Sequence, residues 1–150
     1  GNTVDWQCEL EEIPVGKGRK LKDGRDIAVL SLGPIGVEAS KAIAIAELRS
    51  LNDHPDVPLH IAQYDMRFLK PLDKDLLHEV GRNFKKVVTV EDGVISGGLG
   101  SAVLEFFSDN GYEVEVKRIG IPDKFVMHGT VAELRQICGM DAQSISEVLV

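Results

Sequence analysis

Short apolar runs that alternate with helical segments constrain the fold of this chain more than any other feature. The first run, Ile27–Leu32, is almost continuously apolar, which is typical of a strand covered on both faces. Leu59–Tyr64 and Lys86–Val90 are two further strand-like runs. Because parallel strands are joined by helical crossovers, this alternation predicts a mostly parallel sheet with helices on both faces.

The segments between these runs have helical patterns. A helix over about Val37–Leu51 carries apolar residues on more than one side, so we expect it to be covered by its own sheet and by something else. Asp73 is the expected cap of a short second helix. A third helix follows the glycines at 97–100, and its apolar residues have the most regular helical spacing in the chain: Leu99, Ala102, Val103, Phe106 and Phe107.

Two weaker signals complete the predicted sheet. Glu113–Ile119 alternates charged with apolar residues, as expected of a half-exposed strand near an edge. Asp23-Gly24 is a favoured tight-turn pair, so the short segment before it should form an antiparallel hairpin with the first long strand. The prediction is a three-layer α/β fold with a mostly parallel five-stranded sheet and one antiparallel edge strand. Two last helices should follow, one with a capping box at Thr130 and one capped by Asp141.

The composition of the 150-residue chain excludes several classes of protein. Apolar residues make up 43% and charged residues 27%, close to globular averages, so wholesale disorder is excluded. The net charge of −7 repels nucleic-acid phosphates. No apolar run approaches the roughly 20 residues of a membrane span. We therefore expect no nucleic-acid partner and no membrane partner.

The spacing of cysteine and histidine supports neither a metal site nor a disulfide scaffold. Cys8 and Cys138 lie far apart and form no CxxC pair, and the histidines at 54, 60, 78 and 128 lack metal-ligand spacing. We assign no metal ligand and expect a cytoplasmic location. The first 18 residues have apolar positions without a period, so we expect residues 1–18 to be a linker from a preceding domain and residues 19–150 to form the domain.

Glycines cluster where the third long strand leads into the third helix. Gly97, Gly98, Gly100 and Ser101 offer free N–H groups at a helix start, which is a favourable place for an anion. The segment lacks the full GxGxxG spacing and the Lys-Ser/Thr pair of a P-loop. The alternative, which we favour, is that the glycines allow close packing of the helix on its strand or on a neighbouring subunit. These four residues are a candidate interface or anion site.

Charged residues follow two strands at one edge of the predicted sheet. Asp65 and Arg67 follow the second strand, and Glu91 and Asp92 follow the third. A catalytic acid or base is conceivable there, but hydrogen bonds and ion pairs that fix loops are commoner, and an acid beside a guanidinium stays ionised. We assign no catalytic or cofactor-binding residue. A structural role in loops is expected for five residues: Asp65, Arg67, Asp73, Asp123 and His128.

Four segments agree with the motifs of one protein family in their order and spacing along the chain. They are DMRFLKPLD at 65–73, VTVED at 88–92 with GGLGSAV at 97–103, GIPDKF at 120–125, and HGT at 128–130. They resemble the DxRFxKPLD, VTVEE…GGxGSAV, GLPDxF and HGT motifs in the last domain of the 1-deoxy-D-xylulose-5-phosphate synthase family, which shares the transketolase C-terminal domain. LEEIPVGKG at 10–18 is similar to the linker into that domain. The loop 52–58 is longer than usual in the family, and Asp92-Gly93 departs from its usual pair.

The resemblance implies a specific enzyme for the whole polypeptide. Such a transferase condenses pyruvate with glyceraldehyde 3-phosphate, uses thiamine diphosphate and Mg²⁺, and feeds isoprenoid, thiamine and pyridoxal synthesis. Its first two domains hold the cofactor, while the third, which this chain matches, completes a homodimer. None of the family's cofactor motifs occurs here, so the resemblance implies an inactive fragment whose partners are the missing N-terminal and central domains.

Two other interpretations remain open. The chain could be a stand-alone module that holds an anion or a partner protein with its glycine-rich helix start. It could also be the equivalent domain of another transketolase-like enzyme or of a 2-oxoacid dehydrogenase β subunit. The length of the native reading frame distinguishes a stand-alone module, which needs only a short frame, from a domain of either larger enzyme, which needs a long one.

Overall fold

Strands and helices alternate through residues 11–150, the part of the chain that the computed structural model describes. The strands are β1 (Arg19–Lys22), β2 (Ile27–Leu32), β3 (Ile61–Asp65), β4 (Lys86–Val94) and β5 (Glu115–Ile121). The helices are α1 (Gly36–Asp53), α2 (Lys74–Asn83), α3 (Leu99–Asp109), α4 (Val131–Ile137) and α5 (Ala142–Leu149). None of these helices is both long enough and apolar enough to cross a membrane.

The five strands form one sheet in the order β1-β3-β2-β4-β5. Strands β2 to β5 are parallel and β1 is antiparallel at the edge, which confirms the predicted three-layer fold. The central strand shows why its apolar run is continuous. Ile27 and Val29 point into a core with α1 and α5, while Ala28 and Leu30 point into a second core with α2 and α3.

The predicted hairpin is wrong, because β1 pairs with β3 and not with β2. Both flanks of β2 are taken by its parallel neighbours β3 and β4, so β1 cannot pair with β2 and pairs instead on the outer flank of β3. The segment after β1 crosses the start of β3, where the N–H groups of Arg25 and Asp26 both donate to the carbonyl of His60, at 3.0 Å each. A Cβ at Gly24 would overlap the backbone of Ile61 and Ala62. This glycine therefore permits a crossing and not a tight hairpin turn.

The two strands on the other side of β2 end later than the sequence predicts. Strand β4 continues to Val94, so Glu91, which we expected in a loop, lies within a strand. Strand β5 runs to Ile121, because its last residues still pair with β4, and the N–H of Ile95 donates to the carbonyl of Ile121 at 2.9 Å. The register shifts between Val90 and Val94, which marks a bulge in this pair.

Helix α1 has the two apolar sides that its sequence indicates. Ala39, Ala42, Ile43 and Ala46 are buried against the sheet and α5. The opposite side is exposed at Ile45, Leu48 and Leu51. Nothing within residues 11–150 covers that side, so the expectation of a second cover stays a prediction.

Side-chain caps define the starts of three helices, as the sequence predicts. Asp73 accepts the N–H of Leu76 at the start of α2. Thr130 and Glu133 form a reciprocal capping box at α4. Asp141 accepts the N–H groups of Gln143 and Ser144 at α5, at 3.1 and 3.2 Å. These bonds satisfy donors that a helix leaves free at its N-terminus.

We predict that Asp141→Ala lowers the free energy of unfolding by about 1 kcal/mol at neutral pH, the usual cost of losing a helix cap. Hydrogen bonds from the Ser144 hydroxyl and from backbone N–H groups lower the pKa of Asp141. A lowered pKa in the folded state stabilises fully above the ordinary aspartate value, and the contribution disappears as the pH falls through the lowered pKa. Urea unfolding between pH 7 and pH 2 should therefore show the two proteins converging in stability at low pH.

Asp56→Ala, in the exposed loop after α1, is the control and should leave the stability within about 0.5 kcal/mol of the wild type. A difference between Asp141→Ala and the wild type that stays constant over the whole pH range would show that the charge of Asp141 is not what caps α5.

Candidate functional site

The glycine-rich start of α3 is built around a buried carboxylate. Glu91, on β4, has only 4% of its surface exposed. Its Oε2 accepts the N–H of Leu99 at 2.7 Å and its Oε1 accepts the N–H of Gly100 at 2.9 Å. Both oxygens therefore meet helix donors, and the negative charge faces the positive end of the helix dipole. A carboxylate of the chain itself occupies the position that an external anion takes at other helix starts.

Two positions in this segment require glycine, because atoms of neighbouring residues lie where a Cβ would be. A Cβ at Gly98 would overlap Oε2 of Glu91, and a Cβ at Gly100 would lie 2.7 Å from Thr89 Oγ1 and from the side chain of Arg118. Gly97 differs, because open space surrounds it and its φ of +79° is the reason for glycine there.

Ser101 fastens the loop before α3. Its hydroxyl accepts the N–H of Gly97 at 2.9 Å and the guanidinium of Arg118 at 3.1 Å. Arg118 also donates to the carbonyl of Ile95 at 3.0 Å. The structure thus brings the four predicted residues of this segment together with Glu91 and Arg118. Sequence reasoning missed Arg118, since nothing in an alternating edge strand marks one charged residue as inward-facing.

A cleft of about 490 Å³ opens beside this helix start, between the carboxyl ends of β2 and β4. The chain passes from β2 to β3 on one side and reaches β4 on the other, and such a switch point is where open α/β sheets bind ligands. Gly33, Pro34, Leu69 and Asp92 line it, with Glu91 beneath. Its charged lining residues are two carboxylates, Glu91 bound to the helix donors and Asp92 at 3.6 Å from Arg135, and no Lys or Arg lines it to hold a phosphate.

Asp65 and Arg67 contact each other in the loop after β3. The Asp65 carboxylate accepts the backbone N–H of Arg67 at 3.1 Å, and Arg67 Nε lies 3.9 Å from the same carboxylate. Arg19 Nε, on β1, is closer still, at 3.2 Å. Arg67 has a φ of +56°, in the left-handed region that residues other than glycine rarely adopt. These contacts fix the loop to the edge strand, and neither the Arg19 contact nor the positive φ has a signal in the sequence.

Asp73 joins the start of α2 to the segment that leads into β1. Besides capping the helix it accepts the N–H of Gly18 at 2.9 Å. Lys17 reaches Asp75 at 2.6 Å and Asp73 at 3.5 Å, and its hydrogen bond lowers the pKa of Asp75. The expected linker 1–18 therefore makes defined contacts from residue 16 onward, while its residues 1–10, including Cys8, lie outside the described part of the chain.

The other two expected loop residues lie elsewhere. Asp123 and His128 are exposed after β5, and within residues 11–150 neither side chain makes a hydrogen bond. Two strands, β2 and β4, separate the end of β5 from the end of β3, about 14 Å at strand spacing. The loop with Asp65 and the loop with Asp123 therefore follow well-separated strands, and the structural role of Asp123 and His128 stays a prediction.

The described residues do not fit a thiamine diphosphate site. Within residues 11–150 no three His, Cys, Asp or Glu side chains are placed to hold a metal ion together. The helix start that most resembles a diphosphate cradle is already filled by Glu91. We derive no cofactor chemistry from this chain.

The fold and motifs define a class of protein, and the comparisons agree. The chain belongs to the transketolase C-terminal domain family, whose profile matches residues 16–145. The 1-deoxy-D-xylulose-5-phosphate synthase of Bacteroides thetaiotaomicron is 65% identical over 149 residues, which are 99% of this chain and 22% of that enzyme. The enzyme of that name from Phocaeicola vulgatus is 59% identical over 150 residues, all of this chain and 23% of that enzyme. The resemblance carried by the four motifs is confirmed.

A solved structure gives the same result for the fold. A split-gene transketolase, described as an inactive β4 tetramer, matches with a TM-score of 0.81 and 31% identity over 93% of this chain and 43% of that chain. This chain spans less than a quarter of the length of the curated relatives above.

We predict that Gly98→Ala lowers the free energy of unfolding by about 2–4 kcal/mol. The new Cβ displaces the Glu91 carboxylate from two buried helix donors, and each buried donor left unpaired costs about 1–3 kcal/mol. Gly93→Ala, on the same strand as Glu91, is the matched control, because its Cβ would lie 3.8 Å from the nearest atom, again Glu91 Oε2. Equal stability of the two variants in urea unfolding would contradict the role given to Glu91.

Proposed function

We propose that this chain is the C-terminal domain of a 1-deoxy-D-xylulose-5-phosphate synthase. The whole enzyme is a thiamine-diphosphate-dependent transferase that condenses pyruvate with glyceraldehyde 3-phosphate and releases carbon dioxide. The observation that carries the proposal is the high identity to enzymes of this name along the entire chain, together with the small share of those enzymes that it spans.

In this proposal the chain assists assembly and supplies no reacting group. Thiamine diphosphate with Mg²⁺ supplies carbanion stabilisation when bound to the preceding domains. The part played here by Gly97, Gly98, Gly100 and Ser101 is to shape a surface for association, with an anion site as the alternative. The carboxylates at the neighbouring cleft support association over anion binding.

The proposal extends to the organisation of the parent protein. Residues 1–18 link a preceding domain to the domain formed by residues 19–150, and the parent is a cytoplasmic homodimer that supports isoprenoid, thiamine and pyridoxal synthesis. What supports a multimer is the related split-gene transketolase, which is described as a β4 tetramer.

The full-length polypeptide provides the test of this function. Its reading frame should encode three to four domains, roughly 600 residues or more, and the purified enzyme should form 1-deoxyxylulose 5-phosphate from the two substrates. A reading frame that encodes little more than this one domain would refute the proposal, and so would a full-length protein that cannot use pyruvate and glyceraldehyde 3-phosphate.

We predict that the isolated chain does not bind thiamine diphosphate with Mg²⁺ and has no transferase activity. The reason is that Glu91 already occupies the glycine-rich helix start and two carboxylates line its cleft. Isothermal titration should give no heat of binding, with the full-length enzyme as the positive control. Micromolar binding to the isolated chain would overturn this part of the proposal.

We predict that Arg67→Ala in the full-length enzyme lowers the free energy of unfolding by about 1 kcal/mol, because it removes the contact with Asp65. The KM for glyceraldehyde 3-phosphate should stay unchanged. Arg67→Gly is the matched variant: it removes the same side chain but relieves the positive φ, so it should be about 1 kcal/mol more stable than Arg67→Ala. A large rise in KM at unaltered stability would show instead that Arg67 binds the substrate phosphate.

A further inference from the structure

Apolar side chains are exposed together along the carboxyl edge of the sheet. They belong to the first turn of α1, to the loops after β3 and β5, to the end of β4 and to the start of α4. The set, called the carboxyl-edge patch below, consists of Val37, Leu69, Val94, Phe125, Met127 and Val131. Phe125 is fully exposed, and 81% of the Met127 surface is open to solvent. Burying aromatic and methionine side chains is a main source of binding energy at protein interfaces.

Two cavities make this edge continuous. The cleft beside the start of α3 is lined by Leu69, Val94 and Asp92. A second cavity of about 240 Å³, between the end of β5 and α4, is lined by Ile121, Val131 and again Asp92. The two cavities share Asp92, and Phe125 and Met127 flank Val126, which lines the second cavity. Val37 lines a neighbouring opening that shares Gly33 and Pro34 with the cleft, so the patch residues follow one grooved surface. A contiguous apolar surface of this kind marks an interaction site.

The segment before β1 reaches the domain at this same edge. Gly16 packs against Pro71 in the loop after β3, since a Cβ there would lie 2.7 Å from the proline ring. Gly18 and Lys17 are held by Asp73 at the start of α2. Because β1 is antiparallel, it begins where β3 ends, so residues 16–18 lie at the carboxyl edge. A longer polypeptide would therefore deliver its preceding part to the edge that carries the patch.

We propose that the carboxyl-edge patch docks against the cofactor-holding part that precedes residue 1 in the parent polypeptide. This inference rests on the proposed function, in which this chain is less than a quarter of the enzyme. Phe125 and Met127 are the anchors, and the groove between the two cavities receives the apolar side chains of the partner surface.

Cysteine labelling in the full-length enzyme tests whether the patch is covered. Met127→Cys should react with a maleimide about tenfold more slowly than Val57→Cys. This factor corresponds to a docked state that covers position 127 about nine-tenths of the time, since only the undocked state reacts. Val57 is the matched control, with 77% of its surface exposed in the loop before β3, at the opposite edge of the sheet. Mass spectrometry assigns the label to each site. Equal rates at the two sites would overturn the proposal.

A second variant tests whether the slow labelling at position 127 depends on Phe125. Adding Phe125→Asp to Met127→Cys should raise the labelling rate to within about threefold of the Val57→Cys rate, since a buried charge opposes docking. Phe125 is fully exposed in the domain, so this change leaves the fold of the domain intact. Protection that persists unchanged in the double variant would contradict the role of Phe125.

Photo-crosslinking identifies the occupant. Full-length enzyme with benzoylphenylalanine at position 125 should yield crosslinked peptides from the part that precedes residue 1. Crosslinks to residues 1–150 of another copy would show that a second C-terminal domain covers the patch, and the proposal would fall. The proposed function fails by a different result, a reading frame without the preceding domains or a full-length protein without transferase activity, so the two failures are distinguishable.

Discussion

The buried Glu91 carboxylate is the interaction on which the centre of this structure depends. A charge that is 4% exposed is tolerated only where strong donors meet it, and here two N–H groups from the first turn of α3 do so. This requirement fixes the start of the helix relative to β4 and demands glycine at position 98. It also reaches β5, where a Cβ at Gly120 would lie 3.0 Å from the carbonyl oxygen of Gly93 and 3.2 Å from Cγ of Glu91. Glu91 thus explains the glycine at position 98 and, together with the backbone of β4, contributes to the close packing at Gly120.

The same interaction bears on function. Open α/β sheets bind ligands where this chain places its glycine-rich helix start, and a doubly wound fold alone says little about what is bound. Here the chain's own carboxylate uses the helix donors, and a second carboxylate, Asp92, lines the adjoining cleft. The helix donors at the switch point are therefore occupied by the Glu91 carboxylate, while apolar residues around this point are exposed. This arrangement supports the proposal that the domain assists assembly and leaves the chemistry to the preceding domains.

Much of the fold could be predicted from the sequence, because the relevant signals are local. Apolar runs mark β2, β3 and β4, and the caps at Asp73, Thr130 and Asp141 mark helix starts. The partner of β1 could not be predicted, since it depends on which flank of the sheet is free once β2 has two parallel neighbours. A turn pair such as Asp23-Gly24 does not indicate which strand β1 pairs with.

The candidate site was only partly predictable for the same reason. Four of its residues form one contiguous motif, 97–101, which is visible in the sequence, and the family resemblance came from such motifs. The contacts that decide their role come from elsewhere in the chain: Glu91 from β4, Arg118 from β5 and, at the neighbouring loop, Arg19 from β1. The positive φ of Arg67 likewise follows from tertiary contacts and not from its residue type.

The most direct measurement concerns the two amide groups that Glu91 holds. Amide resonances of Leu99 and Gly100, recorded by nuclear magnetic resonance during a titration with inorganic diphosphate, report whether these donors are free for an external anion. If Glu91 holds these donors, both resonances stay unchanged up to millimolar diphosphate. The amide resonance of Lys124, an exposed residue away from the helix start whose N–H donates to the Pro122 carbonyl, serves as a reference for non-specific effects. Saturable shifts of Leu99 and Gly100 alone would contradict this expectation, because they would show that the helix start binds an anion in place of Glu91.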